Sequence, residues 1–290
     1  MTEATSYLRA TSVDEAIAAL ASQAGDAVIV AGGLVVGSLI NQRLASPALL
    51  VDITRIPSLK KIEAGTDGGL TIGALTTHDD VLRSDIVKRT VPLLCEIAED
   101  IACGRLRNRG TLGGSLCMMG QQGDPATGLL ALNATIRIKG PEGSRTIPLE
   151  AFFKDAFELD LGESEILEEV HVPAAPKGAH WAFLKQGPRN AMDFTLVAVS
   201  VVARLGGDGR IDHIRCGMNG VSPTAVRPRN AEAALLGKSP GAIDWNAVGT
   251  AFDSDIKPES DLVYSASYKA RLAKVLLRRA VERALAGGTK

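Results

Sequence analysis

The chain has 290 residues, of which 46% are apolar and 22% charged, so it can bury a sizeable core, and its length favours two domains. The formal net charge is −1, and positive and negative residues are mixed along the chain without a basic stripe. This excludes a nucleic-acid-binding protein of the kind that contacts phosphates through a basic surface. The apolar runs are too short to cross a bilayer and the polar start lacks a secretory core, which predicts a cytoplasmic protein.

The first stretch of the chain predicts a small α/β subdomain that ends near residue 55. Ser12 with two following acids is typical of an N-capped helix. Residues 27–33 form a short apolar strand that ends on two glycines, and helical spacing follows over residues 38–45. A second apolar strand over residues 49–54 completes this unit.

The next stretch predicts a second subdomain that mixes helices and strands. Residues 69–84 indicate a strand and a Thr-capped helix, and residues 92–102 a second amphipathic helix. A helix followed by an alternating strand is predicted over residues 128–140, and another strand over residues 164–173. Pro and Gly within residues 175–181 mark the best domain boundary.

The remainder predicts an antiparallel sheet followed by helices. Strand patterns occur in AFLKQG, in residues 194–205 and in IDHIRCGMNG. The sequence GGDGR between the last two is typical of a tight turn and predicts a β-hairpin. Helical spacing then covers residues 229–237, 243–253 and 267–288. The predicted fold class of the whole chain is therefore α+β.

Two glycine-rich turns, VAGGLVVG (residues 30–37) and GTLGGSL (residues 110–116), are the candidate binding elements. The second lies in a stretch, residues 107–125, that shows no helical or strand periodicity and is predicted to be flexible backbone. Consecutive glycines expose backbone N–H groups, which can cradle a phosphate. Each turn alone is commonly no more than a turn, but two without a Walker lysine or GxGxxG favour a diphosphate ligand held from two sides.

Several motifs occur in an order that resembles one protein family. NQRLASPALLVDI, LTIGALTTHDDV, RLRNRGTLGGSL and LLALNA, with YKARLAKVLLRRAVERAL near the end, are similar to the FAD-binding medium subunits of the molybdenum hydroxylases, which include xanthine dehydrogenase and carbon monoxide dehydrogenase. The resemblance implies a PCMH-type FAD-binding domain over residues 1–175, made of two α/β subdomains (about 1–55 and 56–175). A smaller domain of antiparallel sheet and helices over residues 176–290 would follow.

The same resemblance implies a set of cofactor-binding residues. Backbone amides of the first turn would wrap the FAD pyrophosphate, and the second turn would close on it from the other side. Asp124 would reach the flavin or its ribityl chain, Leu167 would pack on the adenine or isoalloxazine, and Lys185 would approach the flavin ring. The implied residues are Ala31, Gly32, Gly33, Leu34, Val35, Val36, Ile101, Ala102, Leu106, Gly110, Thr111, Gly114, Ser115, Cys117, Gly123, Asp124, Leu167 and Lys185.

Some of these residues keep a second interpretation. A cation at Lys185 would stabilise the reduced anionic flavin, but a lysine on a strand is also commonly solvated. His78 is interpreted as a helix-start residue that shapes the FAD site rather than as a base, and Asp193 as an ion-pair partner of Lys185 or Arg189. Leu34-Val35 and the residues Met118–Gly123 depart from the family pattern, so side-chain hydrogen bonds to the diphosphate are missing at the first turn.

The resulting hypothesis is an oxidoreductase subunit that takes electrons from [2Fe–2S] clusters of a small partner subunit and passes them to an external acceptor. Molybdopterin would reside in a large partner subunit, and the complex would be a dimer of heterotrimers. This chain has no C-x-x-C pair and four scattered histidines, which predicts no metal ligands of its own. Two alternatives stay open, a self-sufficient FAD oxidase or dehydrogenase and an assembly subunit without FAD. The substrate of the complex and the terminal acceptor are not predicted.

Overall fold

Helices and sheets follow one another in three groups along the chain, which confirms the predicted α+β class. The structure is a computed structural model, and it describes residues 5–23, 25–118, 123–156, 158–189 and 194–288. Residues 119–122, in the segment that departs from the family pattern, and Asp193, the predicted ion-pair partner, lie outside the described residues. None of the helices in the described ranges is both long and apolar enough to span a membrane.

The first group is a three-stranded parallel sheet with the last strand in the middle. Its elements are β1 (Ser6–Arg9), α1 (Val13–Ala21), β2 (Ala27–Val30), α2 (Leu34–Asn41) and β3 (Leu49–Asp52). Ser12 caps α1 as predicted, with its side chain accepting the Glu15 N–H. Helix α2 begins at Leu34 rather than at the predicted residue 38, because Gly33 adopts a left-handed conformation (φ 70°) that starts the helix there.

The second group is a five-stranded antiparallel sheet with the order β4-β5-β10-β6-β7 and several helices. Its strands are β4 (Ile62–Ala64), β5 (Leu70–Gly73), β6 (Thr135–Gly140), β7 (Gly143–Pro148) and β10 (Ile166–Val172), and β8 (Phe153–Asp155) and β9 (Glu158–Leu159) form a small separate pair. Its helices are α3 (His78–Arg83), α4 (Asp85–Thr90), α5 (Pro92–Glu99), α6 (Gly104–Arg107), α7 (Leu112–Met118), α8 (Asp124–Ala131) and α9 (Leu149–Phe152).

The third group is an antiparallel sheet of β11 (His180–Gln186), β12 (Val197–Leu205) and β13 (Ile211–Asn219), with β12 in the centre. Three helices follow, α10 (Arg229–Leu235), α11 (Trp245–Asp253) and α12 (Ala266–Leu285). The predicted hairpin and all three predicted C-terminal helices are present. Helix α12 presents its buried residues, such as Ala273, Leu277 and Val281, at three- and four-residue spacing to a core shared with β12.

The prediction of flexible backbone for residues 107–125 is wrong over the parts of this stretch that the structure describes, 107–118 and 123–125. These parts contain helix α7 and the start of helix α8. Gly113 lies in the first turn of α7, where a Cβ would come within 2.6 Å of the Ala74 Cβ. The glycines therefore allow a helix to pack closely against the chain that follows β5. Because they have no apolar side chains, the sequence of α7 lacks the apolar periodicity from which a helix is predicted.

Candidate functional site

A cavity of about 460 Å³ lies where the first parallel sheet, the second group and the start of the third group meet. Its volume is in the range of small-molecule and cofactor sites. Thirteen of the predicted cofactor-binding residues line it: Ala31, Gly32, Gly33, Leu34, Val35, Val36, Gly110, Thr111, Gly114, Ser115, Cys117, Gly123 and Leu167. The structure thus brings both glycine-rich turns to one cavity, although they are distant in sequence.

The first turn places the N-terminus of α2 at the cavity. Gly33 is the N-cap residue of α2, and no side chain caps this helix end. The backbone N–H groups at the start of a helix have no partner within the helix, and together they carry partial positive charge. Because Leu34, Val35 and Val36 line the cavity, these first-turn amides are available to an anionic group of a ligand.

The second turn offers less free backbone than the sequence suggested. The N–H groups of Leu112 and Gly113 donate to Thr76 O and Ala74 O, both at 2.9 Å. Gly114 N donates to Thr111 Oγ1 at 3.1 Å and Ser115 N donates to Thr111 O at 2.9 Å. The polar groups that this turn can present are therefore mainly hydroxyls, and its glycines serve close packing.

The two turns pack directly against each other. A methyl group at Gly32 would overlap the carbonyl oxygen of Arg109, and a Cβ at Gly110 would come within 3.0 Å of the His78 Cδ2. Only a residue without a side chain permits the close approach of the two backbone segments at Gly32. Gly32 therefore sets the distance between the two turns, and Gly110 makes room for the His78 side chain.

His78 contacts the second turn at Ser115 and at Gly110. It is the first residue of α3, whose N-cap Thr77 forms a capping box with Asp80. The imidazole is buried, and its Nε2 lies 2.8 Å from the Ser115 Oγ at the cavity wall. Burial, with a smaller effect from the Arg107 charge, lowers the pKa of His78 to about 4. A neutral imidazole that positions Ser115 agrees with the interpretation of His78 as a residue that shapes the site.

The other seven residues of the cavity wall are apolar or glycine, and the sequence did not predict them as site residues. Ile29 lies in β2 before the first turn, and Ile53 follows β3 at the carboxyl edge of the same sheet, so both could have been found from the position of ligand sites in parallel sheets. No local sequence signal marks the others. The lining residues outside the predicted set are Ile29, Ile53, Ala74, Gly113, Leu161, Ile166 and Phe194.

Cys117 contributes a neutral thiol to the wall. Desolvation raises its pKa to about 12, so the thiolate is not populated near neutral pH. Phe194 also lines the cavity and is 78% exposed, although it is a large aromatic residue. An apolar ring left exposed at a cavity mouth is suited to cover a planar ligand.

Three predicted residues near α6 lie outside the cavity lining. The carbonyl oxygens of Ile101 and Ala102 both accept hydrogen bonds from Arg107 Nη1 at 3.1 Å. Ala102 adopts a positive φ of 42°, and Ile101 packs against the core. The Leu106 side chain is exposed. Their predicted contacts with the cofactor stay predictions.

Asp124 and Lys185 also lie outside the lining, and they pair with each other. The Lys185 Nζ lies 2.6 Å from Asp124 Oδ2 and donates to the Asp100 carbonyl oxygen at 3.0 Å. Thr195 donates from its hydroxyl to the other Asp124 oxygen. Both charged side chains are buried, which excludes a solvated Lys185. Since Asp124 directly follows the lining residue Gly123, this network anchors the end of the cavity wall to β11 and the start of β12.

The comparisons with known proteins cover nearly the whole chain. The family described as "FAD binding domain in molybdopterin dehydrogenase" matches residues 3–175, and "CO dehydrogenase flavoprotein C-terminal domain" matches residues 182–284. The chain is 37% identical to the carbon monoxide dehydrogenase medium chain of Hydrogenophaga pseudoflava, over 95% of each chain. It is 33% identical to the 6-hydroxypseudooxynicotine dehydrogenase complex subunit alpha of Paenarthrobacter nicotinovorans, over 96% of this chain and 94% of that one.

Solved structures show the same similarity. A carbon monoxide dehydrogenase from Hydrogenophaga pseudoflava that lacks the Mo-pyranopterin moiety of its molybdenum cofactor matches with a TM-score of 0.92 and 36% identity, over 99% of both chains. Quinoline 2-oxidoreductase from Pseudomonas putida 86 matches with a TM-score of 0.89 and 30% identity, over 100% of both chains.

Proposed function

Because this chain belongs to the FAD-binding medium subunits of the molybdenum hydroxylases, we propose that it is the electron-transfer subunit of a three-subunit dehydrogenase. It would accept electrons from [2Fe–2S] clusters of a small partner subunit and pass them to an external acceptor. The observation that carries the proposal is the cavity at which both glycine-rich turns meet, in a chain that matches such subunits over nearly its whole length. The chain is an oxidoreductase subunit, and its cofactor is FAD.

The residues at the cavity fit this cofactor. FAD joins an anionic diphosphate to two flat aromatic ring systems, and the cavity combines an uncapped helix N-terminus with apolar walls. The Ser115 hydroxyl, held by His78, lies on the side of the second turn. Leu167 and Phe194 provide apolar surfaces for the rings. When bound, FAD supplies reversible one- and two-electron redox chemistry, which amino-acid side chains lack.

The side chains of this chain would bind and orient the cofactor rather than exchange protons with a substrate. The thiol of Cys117 and the imidazole of His78 are both neutral near pH 7, which follows from the raised and lowered pKa values of these groups. The apolar wall excludes water and strengthens the remaining polar contacts. Lys185, paired with Asp124, would hold the end of the wall at Gly123.

The partners of this chain in the proposal are a large molybdopterin subunit and a small [2Fe–2S] subunit, assembled as a dimer of heterotrimers. The observation that supports a subunit role is that the chain matches a carbon monoxide dehydrogenase medium chain over 95% of the length of each. The division into domains at about residue 175 and the cytoplasmic location are part of the same proposal.

Reduction of the flavin in defined mixtures of subunits tests the proposal. The purified chain should show the visible absorption of oxidised flavin, and an organic substrate of the complex should bleach it only when both partner subunits are present. A small subunit whose cluster-binding cysteines are replaced by serine is the matched control and should leave the flavin oxidised. Bleaching by substrate in the isolated chain would contradict the proposal and would favour a self-sufficient flavoenzyme.

A further inference from the structure

Among the residues that the structure describes, the cavity lining includes no charged side chain to balance a diphosphate. The twenty lining residues are all uncharged, and the diphosphate of a dinucleotide carries about two negative charges at neutral pH. Leu34 and Val35 also offer no side-chain hydrogen bond at the first turn. The helix N-terminus compensates only part of such a charge, so a cation at the rim would stabilise a bound diphosphate further.

Arg109 lies at that rim, between the two turns. Its Nε and Nη2 both donate to the carbonyl oxygen of Gly32, at 3.1 and 3.0 Å. Its Nη2 is 3.5 Å from the position that a Cβ on Gly33 would occupy, which places the guanidinium against the N-cap residue of α2. The other N–H groups of this side chain have no hydrogen-bond acceptor in the part of the chain that the structure describes.

We infer that Arg109 is the cation that recognises the diphosphate of FAD and that, through Gly32, it also fastens the first turn to the second. This inference rests on the function proposed above. The guanidinium is suited to both roles, because it always carries a positive charge and has five N–H donors in a rigid plane. Two donors hold the Gly32 carbonyl and the others remain for phosphate oxygens. Arg109 thereby replaces the side-chain donors that Leu34 and Val35 cannot supply.

Flavin titrations of the full-length chain test this inference. The chain is stripped of flavin and titrated with FAD and with riboflavin, which lacks the phosphates, while flavin fluorescence is recorded. We expect Arg109→Gln to weaken FAD binding by about tenfold or more and riboflavin binding by less than about twofold. The loss for FAD should shrink at high salt, because the charge interaction is screened. Arg105→Gln, in the same basic run and exposed, is the matched control and should leave both affinities unchanged.

The outcomes separate the inference from the proposed function. An unchanged FAD affinity in Arg109→Gln, or an equal loss for FAD and riboflavin, would overturn the inference while wild-type binding of FAD upholds the function. Failure of the wild-type chain to bind either flavin would overturn the proposed function itself. Arg109→Lys keeps the charge without the planar fork and should fall between wild type and Arg109→Gln, and it serves as the test if the glutamine variant does not fold.

Discussion

Lys185 has a structural role that its sequence position does not reveal. The resemblance implies a cation that approaches the flavin ring, which stays a prediction, and the structure shows its ammonium paired with Asp124 and with a backbone carbonyl. Both side chains are buried, and a buried ion pair is retained only when its hydrogen bonds are well satisfied. Thr195 completes that set through the second carboxylate oxygen. The cation is therefore largely neutralised before any cofactor binds.

His78 makes the stability of the chain depend on pH. Its pKa is about 4 in the folded chain, below its ordinary value of 6.5, so the unfolded chain binds more protons between these two values. The free energy of unfolding must then decrease as the pH falls from about 6.5 to 4, with no further contribution from this group below that range. Between pH 7 and pH 5 we expect a loss of about 2 kcal/mol from His78 alone.

Urea unfolding at pH 7 and pH 5 measures this contribution. His78→Gln keeps a hydrogen-bonding side chain that does not titrate, so the variant should lose less stability than wild type over the same pH interval. The difference between the two chains isolates His78 from other titrating groups, such as His213, whose pKa is also lowered by burial. Equal losses in both chains would show that the imidazole titrates normally.

At the scale of elements, glycines in two helices that line the cavity are predicted to differ in their tolerance of a methyl group. In α7, a Cβ at Gly113 would come within 2.6 Å of the Ala74 Cβ and 2.9 Å of its carbonyl oxygen. In α2, a Cβ at Gly37 would meet nothing within 4 Å. Overpacking costs about 1–3 kcal/mol, whereas Ala for Gly in an uncrowded helix stabilises by about 0.5–1 kcal/mol.

Gly113→Ala should therefore lower the free energy of unfolding and weaken FAD binding, because α7 must move away from Ala74 and takes Ser115 with it. Gly37→Ala, the matched control, should be neutral or more stable and should bind FAD normally. Denaturant unfolding and FAD titration of the two variants make the comparison. Equal effects of the two substitutions would contradict a packing role for Gly113.

Elements with strong local signals were predicted from the sequence, and elements determined by packing were not. Ser12 and Thr77 are side-chain caps that define a helix start by themselves, and the predicted Ser-capped and Thr-capped helices are both present. Helix α2 shows helical spacing only from Ser38, and its start at Leu34 is set by the backbone conformation of Gly33. Helix α7 is held against Ala74 by its glycines and lacks the periodic apolar pattern that identifies a helix. The two turns could be recognised as a pair, but the contact of Gly32 with Arg109 depends on the tertiary structure.

At the scale of the whole molecule, the apolar core continues across the proposed domain boundary near residue 175. Phe183, Ala198 and Val202 of the third group belong to the same apolar cluster as the second sheet and its helices. A buried hydrogen bond of 2.8 Å joins the hydroxyls of Thr127 in α8 and Ser200 in β12. The two regions are therefore expected to unfold together, since separating them would expose the apolar surface that they bury in this shared cluster.

Gly217 in β13 tests this coupling, because a methyl group there would overlap the carbonyl oxygen of Thr127 in α8. The two tryptophans report on different regions: Trp181 donates to Glu96 in α5 at 3.1 Å, and Trp245 packs with the C-terminal helices.

In chains that keep only one tryptophan, the Trp181 and Trp245 signals should show one common denaturant midpoint, and Gly217→Ala should lower this midpoint equally for both. Gly207→Ala, where a Cβ meets nothing within 4 Å, should leave it unchanged. Separate midpoints for Trp181 and Trp245 without the glycine substitution would show that the two regions unfold independently. A lower midpoint for Trp245 alone in Gly217→Ala would show that the contact of Gly217 with Thr127 does not couple them.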